Sequence, residues 1–204
     1  MKNLIVLIYK DYKKNIIVSF PSTTLIALFA YFISRAALKS SKQVYIGLSL
    51  ALVLILVLMI YTEGTSLLAA HLSATSFSIV ILIVTFFETT LLERHITMIK
   101  KGEIGSNTKS VEREYNEIFL LIGSGLLGLI LSLMSGFMVI GELNIELILK
   151  IIFTSFALIV YMLTFLGVKY ANLKVRYAVR GTILSFAMVL LAYFGNSIIL
   201  INYI

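Results

Sequence analysis

The feature that most limits how this chain can fold is a series of long apolar runs without a single Asp, Glu, Lys or Arg. Six such runs occupy residues 15–34, 43–62, 64–87, 118–141, 151–168 and 181–204. A helix needs about 20 apolar residues to cross the roughly 30 Å hydrocarbon core of a bilayer. Because lipid offers the backbone no hydrogen-bond partners, runs of this length must be helical. The sequence therefore predicts about six membrane-spanning helices.

The composition excludes several other classes of protein. Apolar residues make up 60% and charged residues 13% of the 204 residues, whereas soluble domains average about 45–50% and about 25%. A soluble domain of this size could not bury so much apolar surface. The chain has no cysteine, which excludes disulfides, thiolate metal sites and cysteine nucleophiles. We therefore expect neither a soluble enzyme nor a secreted disulfide-rich scaffold.

The predicted fold is all-α, a polytopic integral membrane bundle that forms one transmembrane domain over residues 1–204. With flanking residues included, the spans are predicted near 15–38, 43–62, 64–87, 118–141, 148–168 and 181–204. Residues 1–15 place apolar side chains such as Ile5 and Ile8 on one helical face and lysines around the rest. This pattern predicts an N-terminal amphipathic helix that lies at the membrane interface.

The longest polar connection is the loop over residues 88–117. Its first part has apolar residues on one helical face, so it predicts either a continuation of the third helix out of the membrane or a separate interfacial helix. His95 lies in this part, where we expect it to be solvated. Ser110 followed by Glu112 and Glu114 predicts the start of a new helix that leads into the fourth span.

The positions of the basic residues indicate which side of the membrane each connection faces. The net charge is +7, and most of the 17 basic residues lie in the connections after the first, third and fifth runs. This placement predicts contact with lipid headgroups and no nucleic-acid partner. The positive-inside rule puts these connections in the cytoplasm and both termini outside. The lysine-rich N-terminus favours either a re-entrant first run or cytoplasmic termini, so three arrangements remain open.

Three polar residues in or beside the runs form a candidate intramembrane polar site: His71, Glu63 and Asn196. An ionisable group such as His71 within a span is a functional-site hypothesis. Because serines and threonines crowd the same helix, a neutral structural imidazole bonded to a hydroxyl group is the competing interpretation. The sequence predicts no catalytic residue, no metal site and no cofactor, since Asp11 is the only aspartate and no phosphate-binding glycine loop is present.

Small residues recur at every fourth position on two of the predicted spans. Small side chains at this spacing let helix backbones approach closely, which drives association in lipid. The two predicted helix-packing stripes are Ser66, Ala70, Ala74 and Ser78 on the third span, and Ser124, Gly128, Ser132 and Gly136 on the fourth. These stripes pack either on each other or on another subunit.

The lysine-rich opening over residues 1–15, followed by six spans and no inserted soluble domain, resembles the small permease subunits of ABC-2-type exporters. The resemblance implies a non-enzymatic, multi-pass subunit in the cell membrane whose energy comes from a separate ATPase. Glu63 alone separates the second and third runs, which is too short a loop to dock an ATPase. The expected partners are the lipid bilayer and either other subunits or further copies of this chain.

The alternative function is that of a non-catalytic structural or assembly subunit of a larger membrane complex. The near-absence of charge inside the spans and the two stripes of small residues fit this alternative. A lipid-modifying enzyme is a third class. It would need a cluster of Asp, His and Arg at the headgroup plane, and the sequence shows none.

Overall fold

The computed structural model of the protein describes residues 22–37, 43–63, 66–102, 111–139, 145–171 and 174–192. These ranges contain six helices and no strand, which confirms the all-α prediction. The helices are α1 (Ser22–Ala37), α2 (Gln43–Glu63), α3 (Leu67–Lys100), α4 (Val111–Val139), α5 (Ile145–Tyr170) and α6 (Val175–Leu190). Four of them, α2 to α5, contain segments long and apolar enough to cross a membrane.

The first and last apolar runs are only partly covered by described residues. Their described parts are α1 and α6, and α6 has 16 residues. The interfacial helix predicted over residues 1–15 lies outside the described residues. The count of six spans therefore stays a prediction, whereas four spanning candidates are present in the structure.

The longest helix, α3, continues well past the predicted third span. It contains 34 residues, which corresponds to about 51 Å at the rise of an α-helix. After Phe87 the sequence turns from apolar to charged without breaking the helix. The helix is followed by Gly102, whose φ of 77° is a conformation that glycine adopts without strain. Of the two interpretations of this loop, continuation of the third helix is confirmed.

The fourth span is preceded by a polar first turn. Helix α4 begins at Val111 and carries Glu112 and Glu114 in that turn. Acidic side chains stabilise this end of a helix because they lie close to its free backbone N–H groups. The predicted helix start after Ser110 is therefore confirmed.

The chain divides into two compact units, residues 1–80 and residues 81–204. In the first unit, the Thr24 hydroxyl of α1 donates a hydrogen bond to Ser76 Oγ of α3, at 3.2 Å. Helix α2 approaches α1 at Gly47, where a methyl group would lie only 2.8 Å from Ser34 Oγ and 2.9 Å from the Tyr31 ring. Small and hydroxyl side chains therefore bring these helices together, as expected within a bilayer.

In the second unit, α4 packs on α5 and α5 packs on α6. The rings of Phe119 and Phe165 stack with their centroids 4.8 Å apart. Between α5 and α6, the Ser185 hydroxyl donates a hydrogen bond to the Ala157 carbonyl at 3.3 Å. Gly181 leaves room for the Thr164 side chain, which a methyl group there would collide with.

Polar and apolar side chains are distributed as in a protein whose outer surface contacts lipid. Ser76, Thr85 and Thr182 are fully buried, whereas many large apolar side chains are exposed, among them Phe29 and Leu163 at 66% and 63%. A soluble protein would bury most of these apolar groups in its core. The exposed apolar faces of the helices therefore support a bilayer environment.

Candidate functional site

A histidine–carboxylate pair joins α3 to α4 where both helices become charged. We call residues 88–102, the end of α3 and the two residues after it, together with residues 111–117 of α4, the hairpin end. His95 Nδ1 lies 2.8 Å from Glu114 Oε2, and the two side chains are 15% and 25% exposed. The prediction that His95 is solvated was wrong, because its side chain is largely buried and bonded to Glu114 of α4.

The pair determines which nitrogen of the imidazole is available for chemistry. With the carboxylate as acceptor, the neutral ring carries its hydrogen on Nδ1 and leaves a lone pair on Nε2. This Nε2 is buried and has no hydrogen-bond partner among the described residues. A carboxylate that orients an imidazole in this way prepares its other nitrogen to accept a proton or to bind a metal. In the described ranges, no group of three or more His, Cys, Asp or Glu residues could hold a metal ion.

Further polar contacts order the hairpin end. Glu117 lies about one helical turn after Glu114 on α4, and its carboxylate is buried. The Oε1 atom of this carboxylate lies 3.5 Å from Arg113 Nε. The Tyr115 hydroxyl donates a 3.4 Å hydrogen bond to the Val168 carbonyl, which connects the start of α4 to the end of α5. The hairpin end is thus a packed polar structure held to its neighbours, although its sequence looks like a loop.

From the hairpin end into the apolar part of α3 lie the buried hydroxyl groups of Thr89 and Thr85, together with that of Tyr161 from α5. The Tyr161 hydroxyl of α5 donates to Thr85 Oγ1 at 3.1 Å. Thr85 Oγ1 in turn donates to the Ile81 carbonyl at 2.7 Å, and Thr89 Oγ1 donates to the Thr85 carbonyl at 2.7 Å. Only the Tyr161 bond joins two helices, so this bond stabilises the contact between α3 and α5, whereas the threonine hydroxyl groups donate within α3.

Replacing Tyr161 by phenylalanine tests the strength of this contact. The substitution removes one hydrogen bond, while Thr85 keeps its bond to the Ile81 carbonyl. We expect the free energy of unfolding to fall by about 0.6–1 kcal/mol, the usual range for interhelical bonds in membranes. Denaturation in mixed micelles measures this change, with the 71% exposed Tyr170 replaced by phenylalanine as a control that leaves stability unaltered. An equal effect of the two variants would contradict the assignment.

The three polar residues predicted within or beside the spans lie in different environments. His71 is half-buried on α3, and its carbonyl accepts a 2.8 Å hydrogen bond from Thr75 Oγ1. Glu63 is the last residue of α2, and Asn196 lies outside the described residues. A polar site built from all three stays a prediction.

The predicted packing stripes are buried to different degrees. On α4, Gly128 and Ser132 are buried, whereas Ser124 and Gly136 are half-buried. On α3 the stripe goes from exposed to buried along the helix, in the order Ser66, Ala70, Ala74 and Ser78. That these stripes carry the packing stays a prediction.

A close approach that sequence reasoning missed involves Gly125, which lies beside the α4 stripe. A methyl group at Gly125 would lie 2.8 Å from Tyr161 Cε1 and 3.0 Å from Ile81 Cγ2. The glycine itself is visible in the sequence as part of Gly-Ser-Gly. The aromatic ring that contacts this glycine belongs to Tyr161 of α5. No residue near Gly125 in the sequence indicates that contact.

Comparison with known proteins does not indicate a function for this chain. No protein-family model, no curated protein and no solved structure matches the chain. The function is therefore inferred from the apolar spans and the hairpin end.

Proposed function

We propose that the protein is the membrane-embedded, permease-type subunit of a cell-membrane transporter whose energy comes from a separate protein, as in the ABC-2 exporters. The proposal is supported by four helices with segments long and apolar enough to cross a membrane. The observation that carries it is the hairpin end, where α3 and α4 both extend beyond their apolar segments and are joined by the His95–Glu114 pair.

The hairpin end has the properties of an element that couples a soluble partner to the bundle. The charged part of α3, residues 88–100, extends about 20 Å as a continuous helix. It is fastened to α4 by His95 and Glu114. A rigid extension of two spanning helices can transmit a partner's movement into the membrane as a shift of packed helices. The hairpin end can therefore serve as the element that docks the ATPase. The connection at Glu63 is too short for this role.

In this proposal the chain performs no chemical step of its own and the partner supplies the energy. The alternative, a non-catalytic structural or assembly subunit, is favoured by one observation. The hydroxyl groups of Thr85 and Thr89 in the bundle are bonded to carbonyl oxygens of the same helix. Because these hydroxyl groups already donate within their own helix, they are less suited to line a path for a substrate.

Affinity capture of the tagged full-length protein from native membranes in mild detergent tests the proposal. We expect an ATPase to be recovered with it and to be lost when the exposed lysines of the hairpin end are reversed by Lys100→Glu and Lys101→Glu. The control, Lys169→Glu with Lys174→Glu, makes the same change of charge at exposed positions elsewhere and should retain the ATPase. Recovery of partners without any ATPase would contradict the proposal and favour the assembly subunit.

A further inference from the structure

The connection between α5 and α6 concentrates positive charge. Four basic side chains, Lys169, Lys174, Arg176 and Arg180, are all exposed here, and two tyrosines lie among them, Tyr170 and Tyr177. We call these six residues the basic turn. No Asp or Glu occurs from residue 147 to residue 204.

Two exposed arginines of the hairpin end, Arg94 and Arg113, have acidic neighbours, which the basic turn lacks. At the hairpin end, Arg113 lies beside the carboxylate of Glu117, and Glu93 directly precedes Arg94. In the basic turn two of the four cations instead contact tyrosine rings. Lys169 Nζ lies 5.1 Å from the ring centroid of Tyr170, and the Arg180 guanidinium lies 5.9 Å from that of Tyr177. Within the described part of the chain, none of the four basic side chains of the basic turn forms an ion pair with a carboxylate.

The basic turn lies at the end of a lipid-facing surface. The apolar span of α5 ends at Tyr170, and the preceding turns expose Leu163 and Leu166. On α6, Ile183 and Leu184 are exposed one turn after Arg180. Tyrosines and long basic side chains are the residues that mark the headgroup level of a bilayer. The positive charge is therefore presented where the phosphates of phospholipids lie.

We propose that the basic turn is a binding site for the phosphate headgroup of an anionic phospholipid. Arg176 and Arg180 are four residues apart and lie on one face of α6. Their guanidinium groups can donate paired hydrogen bonds to phosphate oxygens. Lys169 and Lys174 add charge from the end of α5 and from the turn itself. A headgroup held by these side chains would connect α5 to α6 and supply the negative charge that this part of the chain lacks.

The site can be tested with the full-length protein, because the chain contains no native cysteine. A donor dye is placed on the exposed position Ala171→Cys, between the two helices. The protein is reconstituted in phosphatidylcholine vesicles that contain a small fraction of acyl-labelled phosphatidylglycerol or, separately, acyl-labelled phosphatidylcholine. Energy transfer then reports which lipid is enriched at the basic turn.

We expect several-fold more transfer to labelled phosphatidylglycerol than to labelled phosphatidylcholine. The triple variant Lys174→Gln, Arg176→Gln and Arg180→Gln should raise the half-saturating fraction of the anionic lipid at least tenfold. The single variant Arg176→Gln should raise it about fivefold, as follows from about 1 kcal/mol per basic residue near the surface. The matched control Arg94→Gln, Lys100→Gln and Lys101→Gln removes the same charge from exposed positions of the hairpin end and should change this fraction less than twofold.

Equal transfer to the two lipids would overturn the proposal. So would a control triple variant that weakens the enrichment as much as the basic-turn variant, because the effect would then come from net charge alone. If the triple variant fails to fold, Arg176→Gln decides the question by itself. This inference is independent of the proposed transport function, since it requires no ATPase and no substrate.

Discussion

Replacing Gly125 by leucine is expected to lower the free energy of unfolding by about 3 kcal/mol or more, the upper range for overpacked cores. Even a methyl group at this position would lie 2.8 Å from Tyr161 Cε1, 2.9 Å from the Tyr161 hydroxyl oxygen and 3.0 Å from Ile81 Cγ2. A leucine side chain must therefore push α4 away from α5. Helices in lipid associate mainly through close packing and hydrogen bonds, so the separation removes what holds them together.

Gly123 offers a matched control two residues earlier on the same helix. A methyl group there would lie 3.3 Å from Phe165 Cε2, at the edge of a ring that can shift by a few tenths of an ångström. We expect Gly123→Ala to alter the free energy of unfolding by less than about 1 kcal/mol, because alanine also favours the helix by a similar amount. Unfolding in mixed micelles measures both variants. Similar stabilities of Gly125→Leu and Gly123→Ala would contradict the packing described for α4 and α5.

Replacing Glu114 by leucine is expected to cost about 2 kcal/mol of unfolding free energy, because it leaves His95 Nδ1 without its acceptor in a largely buried site. The side chain of His95 is only 15% exposed and lies 2.8 Å from Glu114. His95→Leu should cost a similar amount, since it leaves the carboxylate without its donor. The double variant should cost little more than either single one, because it removes both polar groups together.

Glu112→Leu is the control for this cycle. Glu112 lies in the same first turn of α4 but is exposed, so its loss should cost only about 0.3–1 kcal/mol through the charge at the helix end. Hydrogen exchange of the hairpin end, followed by mass spectrometry, adds a local readout. We expect faster exchange over residues 88–102 in Glu114→Leu and nearly unchanged exchange in Glu112→Leu. Additive costs in the double variant would show that the two residues do not interact.

The features that sequence predicted correctly depend on local patterns. The apolar runs identified the segments of α2 to α5 that are able to cross a membrane. The apolar face after Glu88 allowed a continuing third helix, and the acidic residues after Ser110 predicted the start of α4. Each of these signals lies within a few residues of the structure that it specifies, because helix periodicity and capping are local.

The contacts of the candidate site could not be read from the sequence because they depend on how the helices lie against each other. His95 and Glu114 are 19 residues apart, and Tyr161 is 76 residues from Thr85. The charged segment around His95 suggests a side chain in solvent, and only the position of Glu114 on α4 shows otherwise. Likewise, the small residues on α4 predicted a close helix contact but not its partner. That partner is the Tyr161 ring of α5, which lies against Gly125.

The proposed function requires that α4 and α5 cross the membrane with the hairpin end and the basic turn on its cytoplasmic side. Labelling of intact cells with a membrane-impermeant maleimide tests it through three single-cysteine variants at exposed positions: Lys101→Cys, Ala171→Cys and Val139→Cys. We expect Val139→Cys to react in intact cells, and Lys101→Cys and Ala171→Cys to react only after the membrane is opened. Reaction of Lys101→Cys and Ala171→Cys from opposite sides, or of Lys101→Cys and Val139→Cys from the same side, would contradict the account.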